Sequence, residues 1–397
     1  MKINISEPVL VSMGPSSLTA GWGVYQFPTV DKLDDGSLLV TFASAADNES
    51  TYGSTPGSCI SRDDGKTWEP IANIERFEAE RGIRLPNGDR VSFKDRKCVP
   101  LEGLKLPEPI GKTHLRMTIY RMDEVDADIC EHTWILQRFN EEHPEGVCER
   151  VKLEWPYMTI RSTCGVLVPP APRGRLRIAP DGTLWMPHYY LAGTDPQTGE
   201  LIPYLCNYLF HSVDGGRTWQ LKAFLPFYPD PENPDSNLYE GYGENDITFT
   251  KNETLVRLIR SHGSYMPPWS PCYITRSVDG GDTWSDLEVF AKQGVWPCLA
   301  TLNCGVTLAT YGRPGLFLRA TADPSCVEWE DAIELVHATG EPEPDRGSVF
   351  QQATCGYSNM LVLDDCTVGL VYSDFRVTDE SGTPHKCIMY RTVRVEQ

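Results

Sequence analysis

Ser212–Trp219 reads Ser-Val-Asp-Gly-Gly-Arg-Thr-Trp, and this octamer recurs along a chain of 397 residues. Residues 61–68 read Ser-Arg-Asp-Asp-Gly-Lys-Thr-Trp, and residues 277–284 read Ser-Val-Asp-Gly-Gly-Asp-Thr-Trp. A degenerate copy runs from Thr321 through Asp323 to Trp329. Three full matches to the pattern Ser-x-Asp-x-Gly-x-Thr-Trp are far beyond chance and indicate a repeated structural unit.

The residue types of the octamer are those of a tight turn. Its Asp and Ser accept hydrogen bonds from backbone N–H groups, and its Gly adopts positive φ angles that other residues avoid. The Thr and Trp begin the next strand, where the indole packs over the turn. The octamer therefore predicts the closure of a β-hairpin. A calcium loop is the functional alternative, but the octamer lacks the spaced acidic ligands and terminal Glu of an EF-hand.

The sequence around the octamers is strand-like. Residues 37–42, 254–259 and 367–372 are short apolar or alternating runs that each follow a turn signal, and helical periodicity of useful length is hard to find. Many short strands with repeated turns predict an all-β protein, with residues 1–397 forming a single β-propeller domain. We expect the last run, Ile388–Val395, to pair with strands near the N-terminus and to close the ring.

Residues 76–160 differ from the rest of the chain. They are rich in charge and contain Pro-rich turns, together with strand-like pieces at residues 115–120 and 133–137. We interpret this segment as an insertion or an elaborated blade within the propeller. The sequence leaves open whether it crowns a pocket or makes a dimer contact, and with it whether the protein is a homo-oligomer.

Composition and charge exclude several classes of function. The chain has 36 Lys and Arg against 55 Asp and Glu, a formal charge of −19, which disfavours nucleic acid and acidic membrane surfaces as partners. No apolar run of about 18 residues is present to span a membrane. The 13 cysteines and 8 histidines are scattered without a Cys-x-x-Cys or His-Glu-x-x-His motif, so we expect neither a metal nor another cofactor. The first residues do not read as a secretory leader, which favours a cytoplasmic location.

The octamers resemble the Asp boxes of the sialidase (neuraminidase) superfamily, a resemblance that covers most of the chain and is weakest over residues 76–160. It implies a six-bladed propeller. Tyr357, in Gly356-Tyr357-Ser358, resembles the segment that holds the sialidase nucleophile, and the following Gly-Leu-Val-Tyr run at 369–372 agrees with it. Glu244 resembles the base that activates this tyrosine, with Glu240 and Asp246 as nearby alternatives. A phenol has a pKa near 10, so it needs such a base to act as a nucleophile.

The same resemblance implies a clamp of three arginines around the carboxylate of an acidic sugar, because guanidinium groups bind carboxylates bidentately. Arg260 resembles the second arginine and Arg313 the third, with Arg319 as the alternative. Gln26 stands where the first arginine is expected, and it can donate a hydrogen bond but carries no charge. The arginines considered as replacements are Arg96, Arg116 and Arg161.

Three further residues complete the set that the resemblance implies. Asp47 lies on the loop after the first strand, where the family places its acid/base residue, and the adjacent Glu49 is the alternative. Tyr189 and Tyr190 resemble an aromatic strand that lines the sugar pocket, although a role in core packing explains them equally well.

These residues predict an exo-acting, retaining glycoside hydrolase that resembles a sialidase and cleaves a terminal acidic sugar from an oligosaccharide or glycoconjugate. Two other readings stay open. One is a propeller lyase acting on uronates, in which Tyr357 shuttles a proton. The other is a carbohydrate-binding propeller without turnover. Fold alone does not separate the three, because one fold hosts many functions.

Overall fold

The computed structural model describes most of the chain in side-chain detail. The described residues are 1–51, 53–94, 98–126, 129, 134–155, 157–191, 193–233, 236, 239–263, 271–338 and 353–396, with the side chain of Glu49 left out. No helix within these ranges is long and apolar enough to cross a membrane.

The described chain is built from β-strands, and its named helices are three short 3₁₀ segments, Glu49–Thr51, Glu75–Glu80 and Met122–Glu124. In chain order the strands are β1 (Lys2–Ile5), β2 (Val9–Ser16), β3 (Gln26–Lys32), β4 (Leu38–Ala43), β5 (Gly57–Ser61), β6 (Glu69–Pro70), β7 (Ile83–Arg84), β8 (Arg90–Phe93), β9 (Val99–Pro100), β10 (Gly111–Lys112), β11 (Thr118–Arg121), β12 (Ile135–Phe139), β13 (Val147–Arg150), β14 (Lys152–Glu154), β15 (Thr159–Thr163), β16 (Val166–Val168), β17 (Arg177–Ile178), β18 (Leu184–Leu191), β19 (Leu205–Ser212), β20 (Thr218–Leu225), β21 (Gly241–Phe249), β22 (Leu255–His262), β23 (Cys272–Ser277), β24 (Glu288–Ala291), β25 (Val295–Thr301), β26 (Thr307–Gly312), β27 (Leu316–Thr321), β28 (Ile333–Val336), β29 (Ser358–Asp364), β30 (Thr367–Thr378) and β31 (Pro384–Glu396).

Most of these strands form antiparallel sheets of four or five strands in which chain neighbours pair. The four-stranded sheets follow the orders β3-β4-β5-β6, β7-β8-β12-β13 and β25-β26-β27-β28. Two antiparallel runs, β17-β18-β19-β20 and β21-β22-β23-β24, join through a single parallel pair, Leu205 with Gly241, and β14 adds in parallel beside β20. The last sheet contains β29, β30 and β31 together with β1 and β2.

The predicted all-β class is confirmed, and the expected pairing of the two chain ends is present. Ile3 lies opposite Val395 in the β1–β31 pair, and Val9 lies opposite Tyr390 in the β2–β31 pair. The count of six blades stays a prediction. Within residues 76–160, β7, β8, β12 and β13 form one sheet, while β9, β10 and β11 join β15 and β16 in another. Whether this segment is an insertion stays a prediction too.

The three octamers form the same turn between the last two strands of a four-stranded antiparallel run, namely β5–β6, β19–β20 and β23–β24. In the copy between β19 and β20, the Ser212 hydroxyl bonds the Asp214 carboxylate at 2.8 Å and accepts from the Gly216 N–H at 2.9 Å. The Thr218 N–H also donates to Asp214 at 2.9 Å, and the Trp219 indole N–H donates to the Gly216 carbonyl at 2.8 Å. Corresponding bonds hold the copies at residues 61–68 and 277–284.

The degenerate copy keeps part of this arrangement without the glycine. Asp323 accepts the N–H of Val327 at 2.8 Å, and the Trp329 indole N–H donates to the Cys326 carbonyl at 2.8 Å. Cys326 adopts the positive φ of 53° that glycine supplies in the full octamers.

We expect Trp219→Phe to lower the free energy of unfolding by about 2 kcal/mol, because it removes a buried hydrogen bond and leaves a small void. The Trp219 indole is fully buried in an aromatic cluster with Trp134 and Phe93. Urea unfolding would measure the change. The matched variant Trp284→Phe removes the same bond from a less buried indole and should cost less; equal costs would contradict the argument from burial.

Candidate active site

A hydrogen-bonded pair of Tyr357 and Glu244 lies at the centre of the candidate site. The Tyr357 hydroxyl donates to Oε1 of Glu244, from a position 113 residues further along the chain. The other carboxylate oxygen, Oε2, accepts from Arg260 Nη1 at 2.7 Å and from the Trp296 backbone N–H at 2.9 Å. The carboxylate therefore gathers three donors from three different strand segments.

Local irregularities in two strands aim these groups at one another. The pairing of β21 with β22 shifts register between Tyr242 and Asn245, and the pairing of β25 with β26 shifts between Val295 and Cys298. Glu244 and Trp296 each lie within such a shift, and Trp296 has a φ of 42°. Bulges redirect side chains and backbone groups out of the regular alternation, which is how the carboxylate and the Trp296 N–H come to face each other.

The electrostatics of the pair favour a charged carboxylate and a neutral phenol. Burial raises the pKa of Glu244, but the positive charge of Arg260 and the hydrogen bonds outweigh it and lower that pKa to about 2. Burial raises the pKa of Tyr357 well above 10, and the negative charge of Glu244 raises it further. The resting pair is thus tyrosine hydroxyl and carboxylate, with the proton on the phenol.

The Tyr357 ring is held from several sides. Trp296 stacks on it at 5.1 Å between ring centroids, and Phe27 contacts its edge at 4.7 Å. The Arg313 guanidinium lies 5.6 Å from the centroid of Tyr357 and 4.9 Å from that of Trp22. Such packing restricts the phenol to one orientation, toward Glu244.

Two glycines let the Arg313 and Tyr357 segments approach closely. A Cβ atom on Gly312 would lie 2.0 Å from the carbonyl oxygen of Gly356, so no other residue fits at that position. Arg313 donates to the Cys355 carbonyl at 3.0 Å across the same contact. Burial lowers the pKa of Arg313, and the charge of Arg260 lowers it further, so two buried guanidinium groups repel each other here. An anionic ligand would relieve that repulsion.

Gln26 is fully buried and is engaged with its own turn. Its Oε1 accepts the Gly23 N–H at 3.1 Å, while its Nε2 is a buried donor for which the described residues supply no acceptor. Gln26 directly precedes Phe27, which contacts the Tyr357 ring. The residue therefore lies next to the site, and its amide helps to hold the turn that carries Trp22.

Asp47 lies on an exposed loop beside the same turn. Its backbone N–H donates to the Trp22 carbonyl at 3.2 Å, and Trp22 in turn stacks with Arg313. The side chain of its alternative, Glu49, lies outside the described residues. The structure thus brings Asp47 to the rim of the site, with no contact to Tyr357 or Glu244 among the described interactions.

The two tyrosines of β18 have different surroundings. Tyr189 is half-buried, and the Arg173 guanidinium lies 5.6 Å from its ring centroid. Burial raises the pKa of Tyr189, and the charges of Arg173, Glu244 and Arg260 act on it as well, so this ring borders the candidate site. Tyr190 is instead buried in an aromatic core cluster, with Trp155 at 6.3 Å.

A row of arginines near Tyr189 and Trp296 was not predicted from the sequence. Residues 173–177 read Arg-Gly-Arg-Leu-Arg, an alternation that places all three arginines on one face of an extended chain. Arg177 pairs with Asp246, as does Arg175, which also donates to the Pro297 and Ser358 carbonyls at 2.9 and 2.7 Å. Arg175 lies 4.9 Å from the Trp296 ring centroid, and Arg173 is the next member of the row, at Tyr189. The alternating pattern is a signal that could have identified the row.

This row explains Asp246, the alternative to Glu244. Its carboxylate is fully buried and accepts hydrogen bonds from Arg175, from Arg177 and from the Leu299 N–H at 2.9 Å. These bonds are structural, and none of them goes to Tyr357. The other alternative, Glu240, contacts His262 Nδ1 at 2.8 Å.

The remaining arginine candidates lie elsewhere or outside the described residues. Arg319 donates to the backbone carbonyls of Phe290 and Glu330, and Arg161 lies 5.7 Å from the Tyr190 ring centroid. Arg116 lines a shallow surface pocket with Leu101 and Cys164 on the sheet of β9–β11, β15 and β16. Arg96 lies outside the described residues. No group of three or more His, Cys, Asp or Glu side chains suited to a metal occurs in the described part of the chain.

The low pKa of Glu244 predicts an acid-sensitive fold. A carboxyl whose pKa is depressed in the folded state stabilises above its unfolded pKa of about 4.5, and this contribution is lost as the pH falls toward 2. We expect up to about 3 kcal/mol of unfolding free energy to disappear across this window. Thermal unfolding between pH 5 and pH 2 would measure the loss, and Glu244→Gln should flatten that part of the profile. Equal slopes in the two proteins would contradict the assignment.

Solved protein structures resemble this fold, whereas the comparisons by sequence found no match. No family model matches the chain, and the curated proteins gave no match either. A protein of unknown function from Dyadobacter fermentans superposes with a TM-score of 0.61 at 17% identity, covering 99% of both chains. The Hadza microbial sialidase Hz136 gives a TM-score of 0.50 at 16% identity, over 92% of this chain and 65% of that one.

An α-L-arabinanase of Penicillium chrysogenum, solved with arabinobiose, gives a TM-score of 0.48 at 13% identity and covers 98% of each chain. At these identities the likeness concerns the fold alone, and the chain shares an all-β fold with the sialidase Hz136.

Proposed function

We propose that this protein is an exo-acting, retaining glycoside hydrolase on a six-bladed propeller and that it removes a terminal acidic sugar from an oligosaccharide or glycoconjugate. The observation that carries the proposal is the partly buried hydrogen bond from the Tyr357 hydroxyl to the Glu244 carboxylate. A phenol hydrogen-bonded to a carboxylate that can take its proton is the arrangement that nucleophilic catalysis by tyrosine requires.

In the proposed reaction, the Tyr357 oxygen attacks the anomeric carbon while its proton passes to Glu244. Asp47 protonates the leaving oxygen, and a covalent glycosyl-tyrosine forms. Asp47 then takes a proton from water, whose oxygen attacks the anomeric carbon; the carbon–oxygen bond to Tyr357 breaks, Glu244 returns its proton to the Tyr357 oxygen, and the sugar leaves with retention of configuration. Because Asp47 lies on an exposed loop, this role requires the loop to approach the bound sugar.

Arg260 couples substrate binding to the activation of the nucleophile. In the resting site, Arg260 neutralises Glu244 and makes it a weak base, with a pKa of about 2. A substrate carboxylate that shares Arg260 would weaken this neutralisation and raise the basicity of Glu244. Tyr357 then loses its proton more easily when an acidic sugar is bound. The site therefore favours substrates that carry an anionic group.

Arg173 extends the set of cations around the sugar. Arg313 contacts Tyr357 and Trp22, whereas Arg173 contacts Tyr189, a ring whose pKa the charges of Glu244 and Arg260 also affect. An acidic sugar in this space is met by guanidinium groups from two sides. Arg173 thereby offers a positive charge in a site where Gln26 supplies none.

We expect Arg173→Ala to weaken the binding of 2-deoxy-2,3-didehydro-N-acetylneuraminic acid by about 10- to 100-fold, the loss typical of one hydrogen bond to a charged group. Arg173→Lys keeps the charge and should fall in between. Isothermal titration would measure the affinities. The methyl ester of the ligand, which lacks the negative charge, should bind both proteins equally, and the surface variant Arg62→Ala is the matched control. A wild-type affinity in Arg173→Ala would contradict the role.

A carbohydrate-binding protein without turnover is the second candidate, and Gln26 favours it. A buried amide in place of a cation weakens the hold on a substrate carboxylate, and Asp47 makes no described contact with the central pair. Such a protein would bind the sugar and leave its glycosidic bond intact.

Release of a fluorophore from an aryl α-sialoside by the purified protein tests the proposal. Aryl glucuronides tested in parallel extend the assay to other acidic sugars. Turnover of either class supports the hydrolase. Binding of the free acidic sugar without turnover supports the second candidate, and a product with a new ultraviolet absorbance from an unsaturated sugar would overturn both in favour of a lyase.

A further inference from the structure

Two turns of neighbouring sheets are joined directly at Asn303–Cys304 and Asp365–Cys366. The Cys304 N–H donates to the Asp365 carbonyl at 2.9 Å, and Asn303 Nδ2 donates to the Asp365 carboxylate at 2.8 Å. The first turn connects β25 to β26, and the second connects β29 to β30. The backbone and side-chain bonds fix the distance between the turns.

Each turn carries one cysteine at this junction. Both thiols are half-buried and pack against the same apolar cluster, which runs from the sheet of β25–β28 into the sheet of β29–β31. The neighbouring Cys304 thiol raises the pKa of Cys366, with burial and the charges of Asp364 and Asp365 acting in the same direction. Because the Cys304 N–H bonds the carbonyl of the residue directly before Cys366, the two cysteines are neighbours across the junction, as a disulfide requires.

The other cysteines have no such arrangement in the described part of the chain. Seven are buried, Cys148 and Cys164 are exposed on different sheets, and Cys98 is half-buried just before β9. Cys355 bonds the Ser373 hydroxyl rather than another thiol. The pair at Cys304 and Cys366 is therefore distinguished by its place on two turns that bond each other directly.

We propose that Cys304 and Cys366 form a reversible disulfide between the two sheets when the protein meets a low-molecular-weight disulfide such as oxidised glutathione. One cysteine thiolate attacks a glutathione sulfur, forms a mixed disulfide and releases one glutathione thiolate. The second cysteine thiolate attacks the bound protein sulfur and releases the second glutathione. Two protein thiols are oxidised, one small disulfide is reduced to two thiols, and the two cysteine protons end on the released glutathiones.

The bond would stabilise the fold and leave the candidate site untouched. Arg313 directly follows the last residue of β26, and Tyr357 directly precedes the first residue of β29. Each therefore lies one strand length, about 20 Å, from the turn that carries the cysteine. The disulfide would close the chain between residues 304 and 366, a segment that contains both site residues. Closing a loop of this size restricts the unfolded chain. The proposal does not depend on the glycosidase assignment.

Peptide mapping of the folded protein after incubation with oxidised glutathione tests the proposal, with free thiols then blocked by N-ethylmaleimide. We expect a peptide pair linked through Cys304 and Cys366, the loss of two free thiols at these positions, and a Tm about 5 °C above that of the reduced protein. The reaction should accelerate as the pH rises from 7 to 9, because more of the Cys366 thiol is then ionised.

Cys366→Ser provides the matched control, because Cys304 should then keep a glutathione adduct and show no rise in Tm. Dithiothreitol should restore both thiols and the original Tm in the wild-type protein. The proposal is overturned if the two peptides stay unlinked while the exposed Cys148 or Cys164 carries glutathione, which shows that the oxidant reacted. A linkage with an unchanged Tm would overturn the stabilising role.

Discussion

Tyr357→Phe should lower kcat by at least about 10³-fold on any substrate that the wild-type protein hydrolyses, because it removes the oxygen that forms the covalent intermediate in the proposed mechanism. The substitution deletes one oxygen and keeps the ring. Trp296 at 5.1 Å and Phe27 at 4.7 Å therefore retain their contacts, and the pocket keeps its shape. Ligand affinity should change less than threefold, which separates loss of chemistry from loss of binding.

Tyr190→Phe is the matched control for this variant. Tyr190 is a buried tyrosine of the neighbouring aromatic core, and it lies among Trp155, His188 and Tyr208 rather than at Glu244. Its loss should change kcat by less than about threefold. The nucleophile assignment fails if Tyr357→Phe retains a tenth of wild-type turnover, or if Tyr190→Phe loses as much activity as Tyr357→Phe.

Mass spectrometry gives a second reading of the same assignment. A fluorinated acidic glycoside that slows the second half of the reaction should leave a covalent adduct on the peptide that contains Tyr357. A protein that turns over substrate without this adduct would use another mechanism.

The sequence predicted the parts of the fold that depend on local chemistry. The octamer at residues 212–219 predicts its own turn because its Ser, Asp and Gly satisfy one another within eight residues. The pairing of Tyr357 with Glu244 spans 113 residues, and only the resemblance of each short segment to a known pattern predicted it. Turn chemistry is local, whereas the meeting of two distant strands depends on the whole fold.

The site residues that the sequence did not predict depend on a strand bulge or on a contact with a distant strand. The Trp296 N–H reaches Glu244 because a bulge with a φ of 42° turns it out of the strand ladder, and no residue type marks that bulge. Arg173 and Arg175 belong to an alternating run, which by itself predicts an ordinary exposed strand. Only the structure shows Asp246 beside this run. A run in which charged residues alternate is expected to face solvent. The buried Asp246, which belongs to a distant strand, changes this interpretation because it pairs with Arg175.

Asp246→Asn should lower the free energy of unfolding by about 3–5 kcal/mol, the loss typical of a buried ion pair from which one charge is removed. The Asp246 carboxylate is fully buried, and it accepts from Arg177 Nε at 3.0 Å, from Arg175 Nη1 at 3.3 Å and from the Leu299 N–H at 2.9 Å. Asn keeps the shape of the side chain but leaves two guanidinium groups without their counter-charge. Denaturation in guanidinium chloride would measure the loss as a lower midpoint.

Asp282→Asn is the control, because Asp282 pairs with Lys222 on the surface, where an ion pair contributes at most about 1 kcal/mol. A loss below 1 kcal/mol for Asp246→Asn would show that the arginines find other partners. The variant also connects stability to the site. Arg175 lies between Asp246 and the Trp296 ring, and Trp296 stacks on Tyr357, so a displaced Arg175 loosens the phenol. A folded Asp246→Asn protein should therefore show a lower kcat at an unchanged KM, which a purely structural ion pair would not produce.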